Sequence, residues 1–131
     1  MMTLTQSWQK TKRNPEKQNK MNIIEIEPTQ NTPKVYGTDT GVLVMEGNLW
    51  PEDGTIFFKP LIGWLKEMVN YEIKIFLNLN YINSSASKCL FSFLLTVRDI
   101  NLKGSEIIWY YDFDDEDMFE NGEIFKSLLG N

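Results

Sequence analysis

Between residues 71 and 102 the hydrophobic repeat changes period from two to about 3.6, and that change constrains the fold more than any other feature. Ile73, Ile75, Leu77 and Leu79 alternate with Glu72, Lys74, Phe76, Asn78 and Asn80. The alternation predicts a strand over 71–81 with one apolar face. Leu90, Phe93, Leu94, Val97 and Ile100 recur at helical spacing, which predicts a helix over 89–102. Between the two lies Asn83-Ser84-Ser85-Ala86-Ser87-Lys88. Asn and Ser are favoured helix N-caps, so ordinary capping explains part of this stretch. A helix N-terminus also presents unpaired backbone N–H groups and a positive dipole end. Both would stabilise a phosphoserine there. On the residues alone, capping is the simpler account and a phosphorylation switch is the functional one.

The remaining elements follow from the same rules. Residues 1–22 are polar and aperiodic, and Lys10, Lys12, Arg13, Lys17 and Lys20 against Glu16 make them locally basic. They are predicted to be a disordered tail, or a docking arm, ahead of one domain over 23–131. Residues 23–27 alternate as a first strand, and Pro28 and Pro33 bracket a turn. Residues 34–36 and 42–46 are predicted to form a hairpin across Gly37-Thr38-Asp39-Thr40-Gly41. A loop over 47–54 carries Trp50, Pro51 and Glu52. A helix over 55–70 is predicted from Phe57, Phe58, Leu61, Ile62, Leu65, Met68 and Val69, with Pro60 as an early-turn residue or a kink. Gly104 stops the next helix. Residues 106–111 are strongly β-prone. A last helix over 114–129 would present Met118, Ile124, Phe125 and Leu128. The order β, β, β, α, β, α, β, α predicts an α/β fold. Its mixed sheet begins with an antiparallel hairpin, pairs its last three strands in parallel and carries packed helices.

Composition removes several chemistries. The chain has no histidine and one cysteine, Cys89. Ser-His-Asp and Cys-His catalysis are excluded, as are zinc sites built on His or several Cys. Cys89 cannot form an internal disulfide, and a reducing cytoplasm is the expected setting. A formal net charge of −5 argues against a nucleic-acid partner. No apolar run reaches the roughly 20 residues of a membrane helix. Residues 1–20 lack the apolar core of a secretory signal. No cofactor, bound metal or catalytic residue is expected.

Five stretches occur in a recognisable order. They are Thr32-Pro33-Lys34-Val35, Gly47 through Trp50-Pro51-Glu52, Trp64-Leu65, Tyr81 through Lys88, and Trp109-Tyr110-Tyr111-Asp112 through Asp114-Asp115-Glu116-Asp117-Met118 with Glu120 and Gly122-Glu123. In this order and spacing the chain resembles the SiaC family of bacterial regulatory phosphoproteins, from residue 23 to about 129. The resemblance implies a STAS-like fold similar to anti-sigma factor antagonists. It also implies a partner switch that is not an enzyme. A protein kinase would phosphorylate the strand-to-helix junction and a metal-dependent Ser/Thr phosphatase would reverse it. The unphosphorylated form would bind and activate a target, typically a diguanylate cyclase, and so promote cyclic-di-GMP synthesis. The phosphosite maps onto Ser84. The family often has Thr there, followed by a run of Ser that Ala86 interrupts here, so Ser85 and Ser87 are alternates. Ile82 stands where the family commonly has Phe or Leu. Candidate partner-binding residues are Asn83, Ser84, Ser85 and Lys88, with Trp50, Glu52, Asp114 and Asp115.

The acidic run Asp112, Asp114, Asp115, Glu116, Asp117, Glu120 and Glu123 has its own readings. Acids at a helix N-terminus stabilise the dipole end, and they also suit a basic partner. The spacing of Asp112, Asp114, Glu116 and Glu123 imitates an EF-hand loop, but Asp117 stands where Gly is required and a strand precedes it, so calcium is rejected. Two rival functions use this acidic C-terminal helix: a small metal-dependent enzyme built on carboxylates, or a constitutive scaffold indifferent to phosphate.

Overall fold

The computed structural model describes residues 22–101 and 103–130. The expected basic tail falls outside the described residues except for Asn22, as does Leu102 at the end of a predicted helix. Eight elements follow in order: β1 (Ile24–Ile26), β2 (Lys34–Gly37), β3 (Val42–Leu49), α1 (Gly54–Glu67), β4 (Ile73–Ile82), α2 (Ser84–Ile100), β5 (Ser105–Trp109) and α3 (Glu116–Leu129). The strands form one mixed sheet in the order β1-β2-β3-β4-β5. β1 and β2 pair antiparallel, as do β2 and β3. β3–β4 and β4–β5 are parallel. The predicted α/β class, leading antiparallel hairpin and parallel final strands are all present.

Alternation decides which face of the sheet is covered. Leu43, Ile75 and Ile107 stand in one cross-strand row, and Met45, Leu77 and Trp109 in another. Two successive crossovers of the same hand place α1 and α2 on one face. These rows point into that face, where Phe58, Leu61 and Leu65 of α1 and Leu90, Phe93 and Leu94 of α2 meet them. Leu43, Ile75, Leu77, Leu61 and Leu90 are completely buried. Each such side chain contributes about 1.5–3 kcal/mol. Trp64, 4% exposed, anchors α1 to the β2–β3 connector by donating its indole N–H to the Thr38 carbonyl at 2.8 Å. Gly37 makes room for that ring, because a Cβ there would lie 2.9 Å from it. Pro60 sits exposed inside an uninterrupted α1. Among the described residues no helix is long and apolar enough to cross a membrane.

Several boundaries differ from expectation, four of them with consequences for the fold. β3 continues to Leu49 through the predicted loop, because Gly47 at φ 127° supports a register shift between Gly47 and Asn48. A glycine within a strand therefore marks a bulge and not an end. α2 begins at Ser84 and not at Cys89. β5 ends at Trp109, with the Tyr110 N–H to the Leu77 carbonyl (2.9 Å) as its last link to β4, although Tyr110 and Tyr111 are equally β-prone. α3 starts at Glu116 and buries Met118, Phe125 and Leu129. Ile124 and Leu128, expected on its apolar face, are 55% and 58% exposed. α3 meets the core along a narrow stripe, through Phe125 against Trp109 and Phe91.

Candidate functional site

Parallel strands followed by helices collect their junctions at one end of a sheet, and such ends are where α/β proteins place their sites. The β3–α1, β4–α2 and β5–α3 connections all leave the carboxyl ends of their strands. The β4–α2 connection is a single residue. Asn83, with φ −92° and ψ 173°, is still extended while Ser84 is already helical. Its backbone N–H reaches the Leu49 carbonyl at 3.4 Å, which ties the end of β4 to the end of β3.

Asn83 supplies the cap. Its Oδ1 accepts from the Ala86 N–H at 2.8 Å, and its carbonyl accepts from the Ser87 N–H at 2.9 Å. The first bond satisfies one of the four orphan donors of the helix start, and the second is the first regular bond of the helix. The serines therefore do not cap. Ser84 and Ser85 lie exposed in the first turn beside the remaining helix-start donors, Ser87 is half-buried, and Ala86 is buried at 2% exposure. Ala86 interrupts the serine run because its side chain faces the core. Lys88 is exposed one turn beyond Ser84, at the i,i+4 spacing from which its ammonium reaches an anion on Ser84.

The β3–α1 connection lies alongside. Asp53 caps α1 by accepting from the Ile56 N–H at 3.2 Å. Gly54 sits against Cys89, whose Sγ would be 2.5 Å from a Cβ at that position. Cys89 is half-buried, and its thiol packs the start of α1 against α2. Trp50 is 39% exposed and Glu52 is exposed; the Trp50 N–H donates to the Asn31 carbonyl at 2.9 Å. Ile56 and Tyr81, at 69% and 53% exposure, also border these two junctions, although the sequence did not single them out as contacts. Strict alternation would put Tyr81 on the buried face with Ile73, Ile75, Leu77 and Leu79. The alternation breaks at the register shift that pairs Gly47 with Leu79 and Asn48 with Tyr81, and Tyr81 is exposed beside the short junction to Ser84.

At the third connection, the Asp115 carboxylate accepts from the Met118 N–H at 3.0 Å and caps α3, while Glu116 and Asp117 occupy the first turn. Asp114 is exposed. Part of the acidic run thus performs the structural task expected of acids at a helix start.

A family model described as SiaC family regulatory phosphoprotein matches residues 26–131. The chain is similar to the crystal structure of apo-SiaC from Pseudomonas aeruginosa, with a TM-score of 0.72 at 25% identity over 80% of this chain and 90% of that one. It is also similar to a chain in the crystal structure of the diguanylate cyclase SiaD in complex with its activator SiaC, from the same organism. There the TM-score is 0.73 at 26% identity over 79% and 90% of the two chains. A search of curated protein sequences returned no match.

Proposed function

The chain belongs to the SiaC family of regulatory phosphoproteins, and from that premise we propose that it is a phosphorylation-controlled partner switch whose unphosphorylated form binds and activates a diguanylate cyclase. The observation that carries this reading is the exposed Ser84 at the first helical position of α2, directly after a cap that leaves its hydroxyl unused. Similarity to a SiaC solved with its cyclase supplies the class of target. The protein works by binding and not by catalysis, in a reducing cytoplasm that suits its lone thiol. A kinase modifies Ser84, with exposed Ser85 the nearer alternate and half-buried Ser87 the less accessible one, and a metal-dependent Ser/Thr phosphatase restores it. Asn83, Lys88, Trp50, Glu52 and Asp114 belong to the contact surface around that serine. Asp115 is a weaker candidate because its carboxylate caps α3.

A phosphate adds about −1.5 to −2 charge and three acceptor oxygens. On a surface that must lose water to dock, an unpaired charge costs several kcal/mol, enough to weaken binding by orders of magnitude. The test uses a purified diguanylate cyclase from the native host, assayed for cyclic-di-GMP synthesis with wild type, Ser84→Ala and Ser84→Glu. Wild type and Ser84→Ala should bind and activate it, and Ser84→Glu should do neither. Equal activation by all three would reject the switch.

A further inference from the structure

We propose that the outer edge of β5, with the cleft beneath it, accepts an extended segment of a partner protein by strand addition, a segment carrying an apolar side chain followed by basic residues. β5 is terminal in the sheet order, so no described strand pairs with its outer edge. Gly104 and Tyr110 direct their backbone groups at β4, through Ile73 N–H to the Gly104 carbonyl (3.1 Å) and Tyr110 N–H to the Leu77 carbonyl (2.9 Å). By alternation, Ser105, Ile107 and Trp109 direct theirs outward. Such a row is a template for another strand.

Beneath this edge lies a cleft of about 250 Å³ between β5, α2 and α3, walled by Leu94, Ile107, Trp109, Phe119, Phe125 and Leu129. Its walls are fixed. The Trp109 indole donates to the Met118 carbonyl at 3.0 Å and meets Phe125 edge-on at 5.3 Å. Gly122 lets the indole lie flat on α3, since a Cβ there would be 2.6 Å from the ring. A formed apolar cleft beside an unpaired edge matches the two needs of strand addition, main-chain bonding and a pocket for an alternate side chain. Charge selects the occupant. The cleft itself is lined by one acid and one base, Glu123 and Lys126, whereas residues 110–120 beside it hold six carboxylates and no lysine or arginine, so the flank of this edge suits a cationic segment. A second copy of the chain would bring the same negative charge. Ser84 does not line the cleft, and the inference stands independently of the switch.

The test is an amide NMR titration of the labelled full chain with acetyl-Thr-Val-Leu-Val-Lys-Arg-amide. Shifts should concentrate at Ser105, Ile107 and Trp109, including the indole N–H, and Phe119→Ala should weaken binding. A peptide N-methylated at alternate residues keeps its side chains but loses donors, and it should bind about tenfold or more weakly. Replacing Lys-Arg by Glu-Glu, or raising salt, should do the same. Equal binding of the N-methylated peptide, shifts centred elsewhere, or no shift at about 1 mM peptide would each overturn the proposal.

Discussion

At the scale of single residues, Asn83 and Ser84 divide two tasks that sequence reading assigned to one stretch. Asn83 holds the helix start through its Oδ1, and Ser84 is left exposed beside it. Asn83→Ala should therefore cost about 1 kcal/mol, seen as a melting temperature lower by roughly 3–6 °C. Asn83→Asp should retain most of the stability. Ser84 behaves oppositely. A negative group at the first position of α2 faces the positive dipole end, so Ser84→Glu should leave the melting temperature unchanged or raise it by the equivalent of about 0.3–1 kcal/mol. The same variant should lose its target. Loss of binding without loss of stability separates charge repulsion at the contact from local unfolding; a Ser84→Glu variant that melts early would instead indicate damage to the helix start. The enrichment in Asn and Ser was legible in the sequence. Which of them caps was not, because that depends on the one residue where the backbone turns from extended to helical, and all four are acceptable cap types.

At the scale of elements, existence and order were legible because period and length agree. β4 is the clearest case, with Ile73, Ile75, Leu77 and Leu79 all buried. What local pattern did not carry was tertiary context. Gly47 reads as a loop residue but lies within β3 at a register shift whose extra residue is Asn80 of β4, and Ile124 and Leu128 read as core but lie outside the stripe that α3 buries. Helical glycines show the same dependence on surroundings, and two of them should respond to alanine with opposite signs. Gly63 in α1 has open space, with no neighbour within 4 Å, where a Cβ would sit. Gly63→Ala should stabilise by about 0.5–1 kcal/mol through backbone entropy alone. Gly122 in α3 faces the Trp109 indole, where a Cβ would sit 2.6 Å from the ring. The same entropic gain there is outweighed by about 1–3 kcal/mol of overpacking and by strain on the Trp109–Met118 hydrogen bond. Denaturant midpoints of the two variants should move in opposite directions; a stabilised Gly122→Ala would mean that α3 yields without cost.

At the scale of the whole molecule, same-side crossovers leave the second face of the sheet without a helix among the described residues. The sequence reading expected packed helices without assigning them to a face, because that depends on the strand order β1-β2-β3-β4-β5, and it did not show how far the bare face would bury its own side chains. Tyr36, Val44, Phe76 and Ile108 form a row across it, and Phe76, stacked on Tyr110 at 6.4 Å, is only 7% exposed. The Tyr36 phenol is pushed above its ordinary pKa, first by burial and then by the carboxylates of Glu25 and Asp39. All three causes disfavour the phenolate in the folded protein. The unfolded chain releases this proton near pH 10, whereas the folded chain holds it to higher pH. The contribution of Tyr36 to stability is therefore intact below about pH 10 and lost as pH rises past it, because the unfolded state then binds fewer protons. Tyr36→Phe has no proton to release and should lose less stability than wild type between about pH 9 and 11. Denaturant titrations of both proteins across that range isolate this residue, because every other side chain is common to the two. Parallel pH profiles would show that neither burial nor the carboxylates of Glu25 and Asp39 disfavour the Tyr36 phenolate more in the folded protein than in the unfolded chain.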